Sequence, residues 1–282
     1  MHSVDEERPW TFYAFAAFFG LFVMFLYGPM IVIYILSFQG PSGGMTFPLN
    51  GVSLHWFDAL FSQTRVGDIA GSFQRSIGLA VAVALVTVVL SVIAGLGFRR
   101  PFRGSAVTFY LAIASLIMPG LFVGLGIALT FRLLGLGTNW FTSGLGAQLT
   151  WTLPFGLLIM FAVLGRFNRS YEEAATDLGA TSWQRISEVT LPMLLPGIIG
   201  VALFGFTLSY DEFARTLMTS GSFNTLPLEI YGMTTNVTTP VLYALGTVTT
   251  GVSFLVIALA LVSTIVLRRR RERHGSDAGK AA

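Results

Sequence analysis

The chain of 282 residues is 54% hydrophobic and only 11% charged, whereas an ordinary soluble domain carries about 25% charged residues. Because such a small number of charged residues cannot cover a water-facing surface, the composition predicts membrane spans and excludes a chain built of soluble domains. Cysteine is absent, and the three histidines lie far apart, so we expect no disulfide and no metal site.

Six apolar runs are long enough to cross a hydrocarbon core as helices, for which about 20 residues are needed. None of them alternates apolar and polar residues as a membrane β-strand does. The sequence therefore predicts an all-α polytopic membrane protein with about six transmembrane helices. In chain order the runs are Thr11–Phe38, Ser76–Phe98, Ala106–Phe131, Ala147–Leu164, Leu194–Ala214 and Val241–Leu267.

Basic residues are distributed unevenly over the predicted loops. With six spans both termini lie on one side, and that side carries thirteen of the 17 basic residues. Because basic loops stay in the cytoplasm, we expect both termini to be cytoplasmic. The arginine-rich tail after Leu267 is interpreted as an anchor to anionic membrane lipid, with no role in binding nucleic acid.

These features divide the chain into three parts. Residues 1–70 hold the N-terminal tail, the first span and a long outer loop, in which Leu54–Leu60 is predicted to be a short helix. Residues 71–267 form the transmembrane domain, and residues 268–282 form the basic cytoplasmic tail.

The loop 166–192, between the fourth and fifth predicted spans, is too polar to span a membrane. Ser170-Tyr-Glu-Glu173 and Thr181-Ser-Trp-Gln184 both match the capping box that starts a helix. Gly179 suits the left-handed residue that ends the first helix. Pro192 is expected to stop the second helix. The pattern predicts two short helices on the cytoplasmic face.

An apolar stripe runs along the second of these predicted helices, formed by Trp183, Ile186 and Val189 at spacings of three. We expect Trp183 to be exposed unless another protein covers it.

This loop resembles the "EAA" loop of bacterial ABC importer permeases. The shared pattern begins with Glu173-Ala-Ala-x-x-x-Gly179 and, after a spacer of nine residues, ends with Val189-x-Leu191-Pro192. The family has Ile at the position of Val189. In that family the loop is the coupling helix that docks into a cleft on the ATPase subunit. The resemblance implies that role for Glu173, Ala174, Ala175, Leu178, Gly179, Ala180, Trp183 and Pro192.

Two further motifs resemble those of spermidine/putrescine-type permeases. They are Tyr27-Gly-Pro29 followed by Ser37-Phe38, and Leu208-Ser-Tyr-Asp-Glu-Phe213. Related importers of iron, opines and phosphonates share versions of both motifs.

The resemblance implies a type I ABC importer permease fold in the bacterial inner membrane. It also implies a homologous or identical second permease, two ABC ATPase subunits and an extracytoplasmic solute-binding protein. The only lysine is Lys280, so this chain has no phosphate-binding loop of the GxxxxGK[ST] kind. We therefore expect no cofactor and no catalysis in this chain, with ATP and magnesium bound by the partner ATPase.

The candidate solute path is the stretch Tyr210, Asp211 and Glu212. These two carboxylates are the only charged side chains that we place deep in a predicted span, about 25 Å from its cytoplasmic start. A path with acidic groups and no basic ones favours a cationic or neutral solute. Alternatively, both carboxylates lie at the outer interface, solvated or paired with Arg215.

Helix-breaking residues interrupt two predicted spans. Pro119, Gly120 and Gly124 lie within the third, and Pro154 lies within the fourth. Such residues serve as hinges in a transport path or allow close helix packing.

The predicted function is the permease subunit of an ATP-driven importer, with a polyamine or a similar amine as its solute. The alternatives within the same class are an opine, an aminophosphonate, iron, or an anion such as sulfate. A gradient-driven secondary transporter would need coupling-ion ligands and often shows inverted repeats, neither of which is visible. A membrane-embedded enzyme would need converging catalytic groups, which the sequence also lacks.

Overall fold

The computed structural model describes residues 9–62, 67–100, 102–236 and 239–278, with side chains up to residue 266 apart from 236 and 264. The side chains of the arginine-rich tail therefore lie outside the described part, and so do the residues Arg8 and Arg65. The helices are α1 Trp10–Leu36, α2 His55–Ser62, α3 Ile69–Phe98, α4 Ser105–Ile117, α5 Gly120–Leu133, α6 Ser143–Gly165, α7 Ser170–Asp177, α8 Ser182–Gln184, α9 Leu191–Tyr210, α10 Leu226–Asn236 and α11 Val241–Ala278.

Five helical stretches in the described chain are long and apolar enough to cross a membrane, and a bent pair of helices adds a sixth if it counts as one span. The predicted all-α membrane fold is therefore confirmed. The short outer helix predicted at Leu54–Leu60 is also confirmed, as α2.

The third predicted span is not one continuous helix. Helices α4 and α5 meet at an angle of 108°, on either side of the extended residues Met118 and Pro119. Pro119 lacks a backbone N–H and disfavours helical geometry in the residue before it, which places the break here. Pro154, by contrast, lies inside the unbroken helix α6, so its predicted interruption is wrong.

The chain divides into two compact units, of which the first comprises residues 1–66 and 233–251. Within it, α1 is apolar around its whole circumference, and most of its side chains are exposed. The loop after α1 folds around the buried Gln39, whose Oε1 accepts hydrogen bonds from the backbone N–H groups of Gly40 and Asn50. The Tyr243 hydroxyl donates to the Met45 carbonyl at 2.7 Å.

The second unit comprises residues 67–232 and 252–282, and its centre is the packing of α3, α6 and α9 against one another. Val92, Met160, Leu194 and Val201 form its buried apolar cluster. Lipid tails are as apolar as leucine, so such helices associate mainly through close packing and interhelical hydrogen bonds.

Small and polar residues make that close packing possible. Gly205 of α9 lies so close to α3 that an added Cβ would be 3.1 Å from the Ala84 Cα. The Thr87 and Thr152 hydroxyls share a hydrogen bond of 2.9 Å between α3 and α6. The buried Gln148 side chain bonds with Ser209 and Thr216. Each of these polar groups finds its partner within the protein, as a membrane interior requires.

Pro192 does not stop the second loop helix, which contradicts the prediction. The segment from Ser182 to Tyr210 forms one helical stretch of 29 residues, which includes a π-helical turn at Arg185–Thr190. In a regular α-helix the Pro192 ring would clash with the carbonyl four residues earlier. The wider π turn just before Pro192 relieves that crowding.

Gly124 allows α5 to pack directly on the backbone that follows α9. A Cβ at Gly124 would lie 2.5 Å from the Arg215 carbonyl oxygen. One turn earlier, a Cβ at Gly120 would lie 2.9 Å from Arg215 Nη1. The two glycines therefore form the predicted small-residue packing face. Their role as a hinge stays a prediction.

We expect Gly124→Ala to destabilise the protein by about 1–3 kcal/mol, because the added methyl group meets a backbone that cannot move aside freely. The matched control is Gly126→Ala in the same helix, where an added Cβ meets nothing within 4 Å. Thermal unfolding of the two purified variants in detergent measures the difference. Equal stability of both variants would contradict the packing described here.

Candidate functional site

Residues 166–192, which we call the coupling loop after the loop that they resemble, fold into two helical arms joined by a tight turn. The first arm is α7 and the second begins at α8. Gly179 connects them with φ of +84°, a left-handed conformation that glycine adopts without steric cost. The N–H groups of Gly179 and Ala180 donate to carbonyls of α7 and close its last turn.

The two predicted capping boxes have different outcomes. The Thr181–Gln184 box is confirmed, with both reciprocal hydrogen bonds present. The Ser170–Glu173 box is wrong, because Ser170 is the first residue of α7 rather than its cap. The Asn168 side chain accepts the Ser170 N–H instead, at 3.0 Å, so an earlier residue performs part of the capping role.

A bidentate ion pair ties the coupling loop to the end of α3. The Arg99 guanidinium donates to both carboxylate oxygens of Glu172, at 2.7 and 2.9 Å. It also lies over the Phe167 ring, 5.2 Å from the centroid. The Thr190 hydroxyl donates to the same carboxylate. Glu172 therefore joins α3, α7 and the π turn at one point.

Two further arginines hold the arms of the coupling loop together. Arg185 donates to the hydroxyls of Thr176 and Ser182, at 3.0 and 3.1 Å. Arg169 donates to the Arg99 carbonyl at 3.2 Å. These bonds link the first arm, the second arm and the end of α3, so the loop is a fixed projection.

The tip of the coupling loop exposes apolar side chains. Leu178 is 89% exposed and Trp183 is 72% exposed, so the prediction for Trp183 is confirmed. Glu173 and Ala174 are also exposed. Ala175 and Ala180 are half-buried, while Pro192 lies apart from the tip, in the first turn of α9. A large exposed apolar patch on a fixed loop is typical of a protein contact.

At the other end of α9, the structure separates the two carboxylates of the predicted solute path. Glu212 is buried at 5% exposure and pairs with Arg215, whose backbone N–H donates to it at 2.7 Å. Asp211 is exposed, and its carboxylate has no ion pair or hydrogen bond within the described residues. The alternative prediction, in which the carboxylates pair with Arg215, therefore holds for Glu212 and not for Asp211.

Arg215 is buried, which corrects the expectation that no basic group lies along this path. Its guanidinium lies 4.8 Å from the centroid of the Trp151 ring and donates to the Thr150 hydroxyl at 3.2 Å. Because its charge is balanced by Glu212, the unpaired charge at this end of α9 is that of Asp211.

Tyr210 belongs to an aromatic cluster next to Asp211. Its ring stacks on Phe206 with centroids 5.9 Å apart, and Phe73 meets it edge-on at 6.4 Å. The buried Tyr210 hydroxyl has no hydrogen-bond partner in the described part of the chain. The exposed carboxylate of Asp211 therefore follows directly, in the chain, an aromatic cluster whose buried phenol has no partner within the described residues.

Sequence reasoning missed Arg99, Glu172 and Arg185 as structural residues of the coupling loop. Glu172 and Arg99 are 73 positions apart, and no local pattern joins them. Arg215, by contrast, was named in the sequence analysis as a possible partner of the carboxylates, and it follows Glu212 by three positions, the spacing of an ion pair on a helical turn.

The chain thus combines a helical membrane fold with an exposed loop between two of its spans. The same fold is found in a chain of the crystal structure of a bacterial alginate ABC transporter in complex with alginate pentasaccharide-bound periplasmic protein. That match has a TM-score of 0.68 and 17% sequence identity, and it covers 91% of this chain and 94% of the other.

The pattern of binding-protein-dependent transport system inner membrane components matches residues 87–271. The chain therefore belongs to this family, and it is an ABC importer permease of the bacterial inner membrane.

Two relatives illustrate the similarity within the family. Spermidine/putrescine transport system permease protein PotC of Haemophilus influenzae is 29% identical over 260 residues, which cover 92% of this chain and 97% of the relative. Putrescine transport system permease protein PotI of Escherichia coli K12 is 31% identical over 236 residues, which cover 80% and 82%.

The Arg99–Glu172 pair generates a pH-dependent prediction. The hydrogen bonds from Arg99 hold the pKa of the Glu172 carboxyl below its usual range, with Thr190 adding to the effect and burial opposing it. A lowered pKa in the folded state means that the stabilisation is complete at neutral pH. It is lost as the pH falls through the folded-state pKa.

We expect Glu172→Gln to lower the free energy of unfolding by about 1 kcal/mol at neutral pH, since the pair is partly accessible to water. The difference from wild type should shrink below about pH 4. Unfolding of both proteins in detergent at neutral and acid pH measures this, with the exposed Glu188→Gln as control. If the free energies of unfolding of Glu172→Gln and wild type differ equally at both pH values, the charge of Glu172 does not contribute to stability.

Proposed function

We propose that the chain forms half of the transmembrane path of an ATP-driven importer for a polyamine or a similar cationic amine. The observation that carries this proposal is the similarity, over most of the chain, to permeases named for spermidine and putrescine. The free carboxylate of Asp211 beside the aromatic cluster of Tyr210 supports it. Ammonium groups bind carboxylates and the faces of aromatic rings.

The proposed orientation places both termini and the coupling loop in the cytoplasm. Among the described residues, the loops and helix ends on the side of the coupling loop carry more arginines than those on the opposite side, as the positive-inside rule requires. On the coupling-loop side are Arg99, Arg100, Arg103, Arg166, Arg169 and Arg185, and on the opposite side are Arg75, Arg132 and Arg215.

The tip of the coupling loop is the proposed docking site for an ABC ATPase subunit. Its exposed Leu178 and Trp183 offer the kind of apolar anchors that dominate protein interfaces. In this proposal ATP and magnesium bind to two separate ATPase subunits, and this chain performs no covalent chemistry. A second permease completes the path, and an extracytoplasmic binding protein delivers the solute.

The contacts of the loop indicate how ATPase movement reaches the membrane. Glu172 binds Arg99 at the end of α3, and the second arm continues without a break into α9. A displacement of the loop therefore moves α3 and α9 together. These two helices, with α6, form the core of the second unit.

The docking proposal predicts that Trp183→Ala, alone or with Leu178→Ala, weakens ATPase binding by more than about tenfold. Neither side chain is buried in the chain itself, so folding should not change. Co-purification of the ATPase with the tagged permease in mild detergent measures the effect.

The matched control is Leu133→Ala, a leucine 87% exposed at the end of α5, which should retain the ATPase. Full retention by the Trp183 and Leu178 variants would overturn the proposed docking surface. A stable complex without any ATPase would overturn the ATP-driven class.

The solute proposal predicts different outcomes for the two carboxylates. We expect Asp211→Asn to lower the affinity for polyamine in uptake by about tenfold, because a charged hydrogen-bond partner is lost. Glu212→Gln should instead reduce the yield of folded protein, because it leaves Arg215 buried without its counter-charge.

Uptake of labelled putrescine and spermidine into cells or proteoliposomes measures the first effect. Asp58→Asn is the control, as an exposed aspartate in α2. Unchanged uptake by Asp211→Asn would remove Asp211 from the solute path.

A further inference from the structure

A cavity of about 400 Å³ lies at the base of the coupling loop, between the loop and the end of α3. The functional proposal above does not use it. Four arginines line it, together with apolar side chains from the last turn of α3 and from the π turn. These residues are Arg99, Arg100, Arg169, Arg185, Leu96 and Ile186.

The charges around the cavity are unbalanced. Two carboxylates also line it, those of Glu172 and Glu173, against the four guanidinium groups. Glu172 is already held by the bidentate pair with Arg99. The remaining arginines therefore face one exposed carboxylate, and the cavity has a formal surplus of positive charge that attracts anions.

Some of the arginine donors at the cavity lack a partner. Both terminal nitrogens of Arg185 are bonded within the loop, but its Nε is buried without a hydrogen-bond partner in the described chain. The Arg100 side chain is exposed, and no described residue accepts a hydrogen bond from it. A buried donor without a partner is costly unless a ligand satisfies it.

The position of the cavity along the span distinguishes between possible anions. Arg99 is the residue that ends the α3 span, and Leu96 lies in the last turn of that span. The cavity thus lies where hydrocarbon gives way to headgroups. Its wall combines guanidinium groups with Leu96 and Ile186, as the phosphate and the adjoining apolar part of a lipid require.

We propose that this cavity binds the phosphate of an anionic phospholipid, such as phosphatidylglycerol, in the leaflet next to the coupling loop. Guanidinium groups pair with phosphate oxygens through two parallel hydrogen bonds. A lipid bound here contacts α3, α7 and the second arm of the loop at once. It therefore adds to the bonds that fix the coupling loop. The assignment to the cytoplasmic leaflet rests on the orientation proposed above.

Arg100→Gln is the variant that tests the proposal, because Arg100 lines the cavity and makes no bond that the fold needs. Arg103→Gln is the matched control, since Arg103 lies in the same short loop but outside the cavity lining. The full-length tagged chain is purified in mild detergent. Native mass spectrometry then measures bound phosphatidylglycerol, phosphatidylcholine or inorganic phosphate, each added separately.

We expect wild type and Arg103→Gln to retain phosphatidylglycerol in preference to phosphatidylcholine, and Arg100→Gln to retain it about fivefold more weakly. Equal retention by Arg100→Gln and wild type would overturn the proposal. Equal weakening by both variants would indicate a diffuse surface charge and would also overturn it. Occupancy by inorganic phosphate without a preference for phosphatidylglycerol would assign the cavity to a soluble anion instead. None of these outcomes depends on the transported solute.

Discussion

The membrane interior offers no water to polar groups, and this constraint organises the second unit. Each polar group between α3, α6 and α9 that lacks a partner costs free energy, so the helices must lie close enough to pair them. Gly156 and Gly205 provide that closeness. The hydrogen bonds of Thr87 with Thr152 and of Gln148 with Ser209 then form between helices. The coupling loop and the bent pair α4–α5 are both attached to this framework.

The attachments differ in chemistry according to where they lie. At the coupling loop the link is the Arg99–Glu172 ion pair, whose side chains keep part of their surface accessible to water. At the far end of α9 the link is the buried pair of Glu212 and Arg215, with the Trp151 ring beside it. A buried pair is strongly destabilised when one partner is removed. In this chain the far end of α9 is therefore held by a buried ion pair, and the coupling loop is held by a partly exposed one.

Several features encoded in short stretches of sequence could be predicted, although the cap at Ser170 and the helix stop at Pro192 were wrong. Features that depend on distant contacts could not be predicted. The spans follow from hydropathy and length, and Gly179 and the Thr181 cap follow from local geometry. The interruption of the third span follows from Pro119, but the 108° angle and the approach of Gly124 to the Arg215 backbone involve segments that are far apart in the sequence. The partnership of Glu172 with an arginine 73 positions away is equally invisible locally.

The unbroken helical stretch from Ser182 to Tyr210 has a mechanical consequence. At about 1.5 Å per residue, its 29 residues make a lever of roughly 43 Å. Tilting that lever by about 5° around its coupling-loop end would displace Tyr210 by about 4 Å, comparable to the width of an ammonium group. A small rotation at the coupling-loop end is thus amplified geometrically at the other end of the helical stretch.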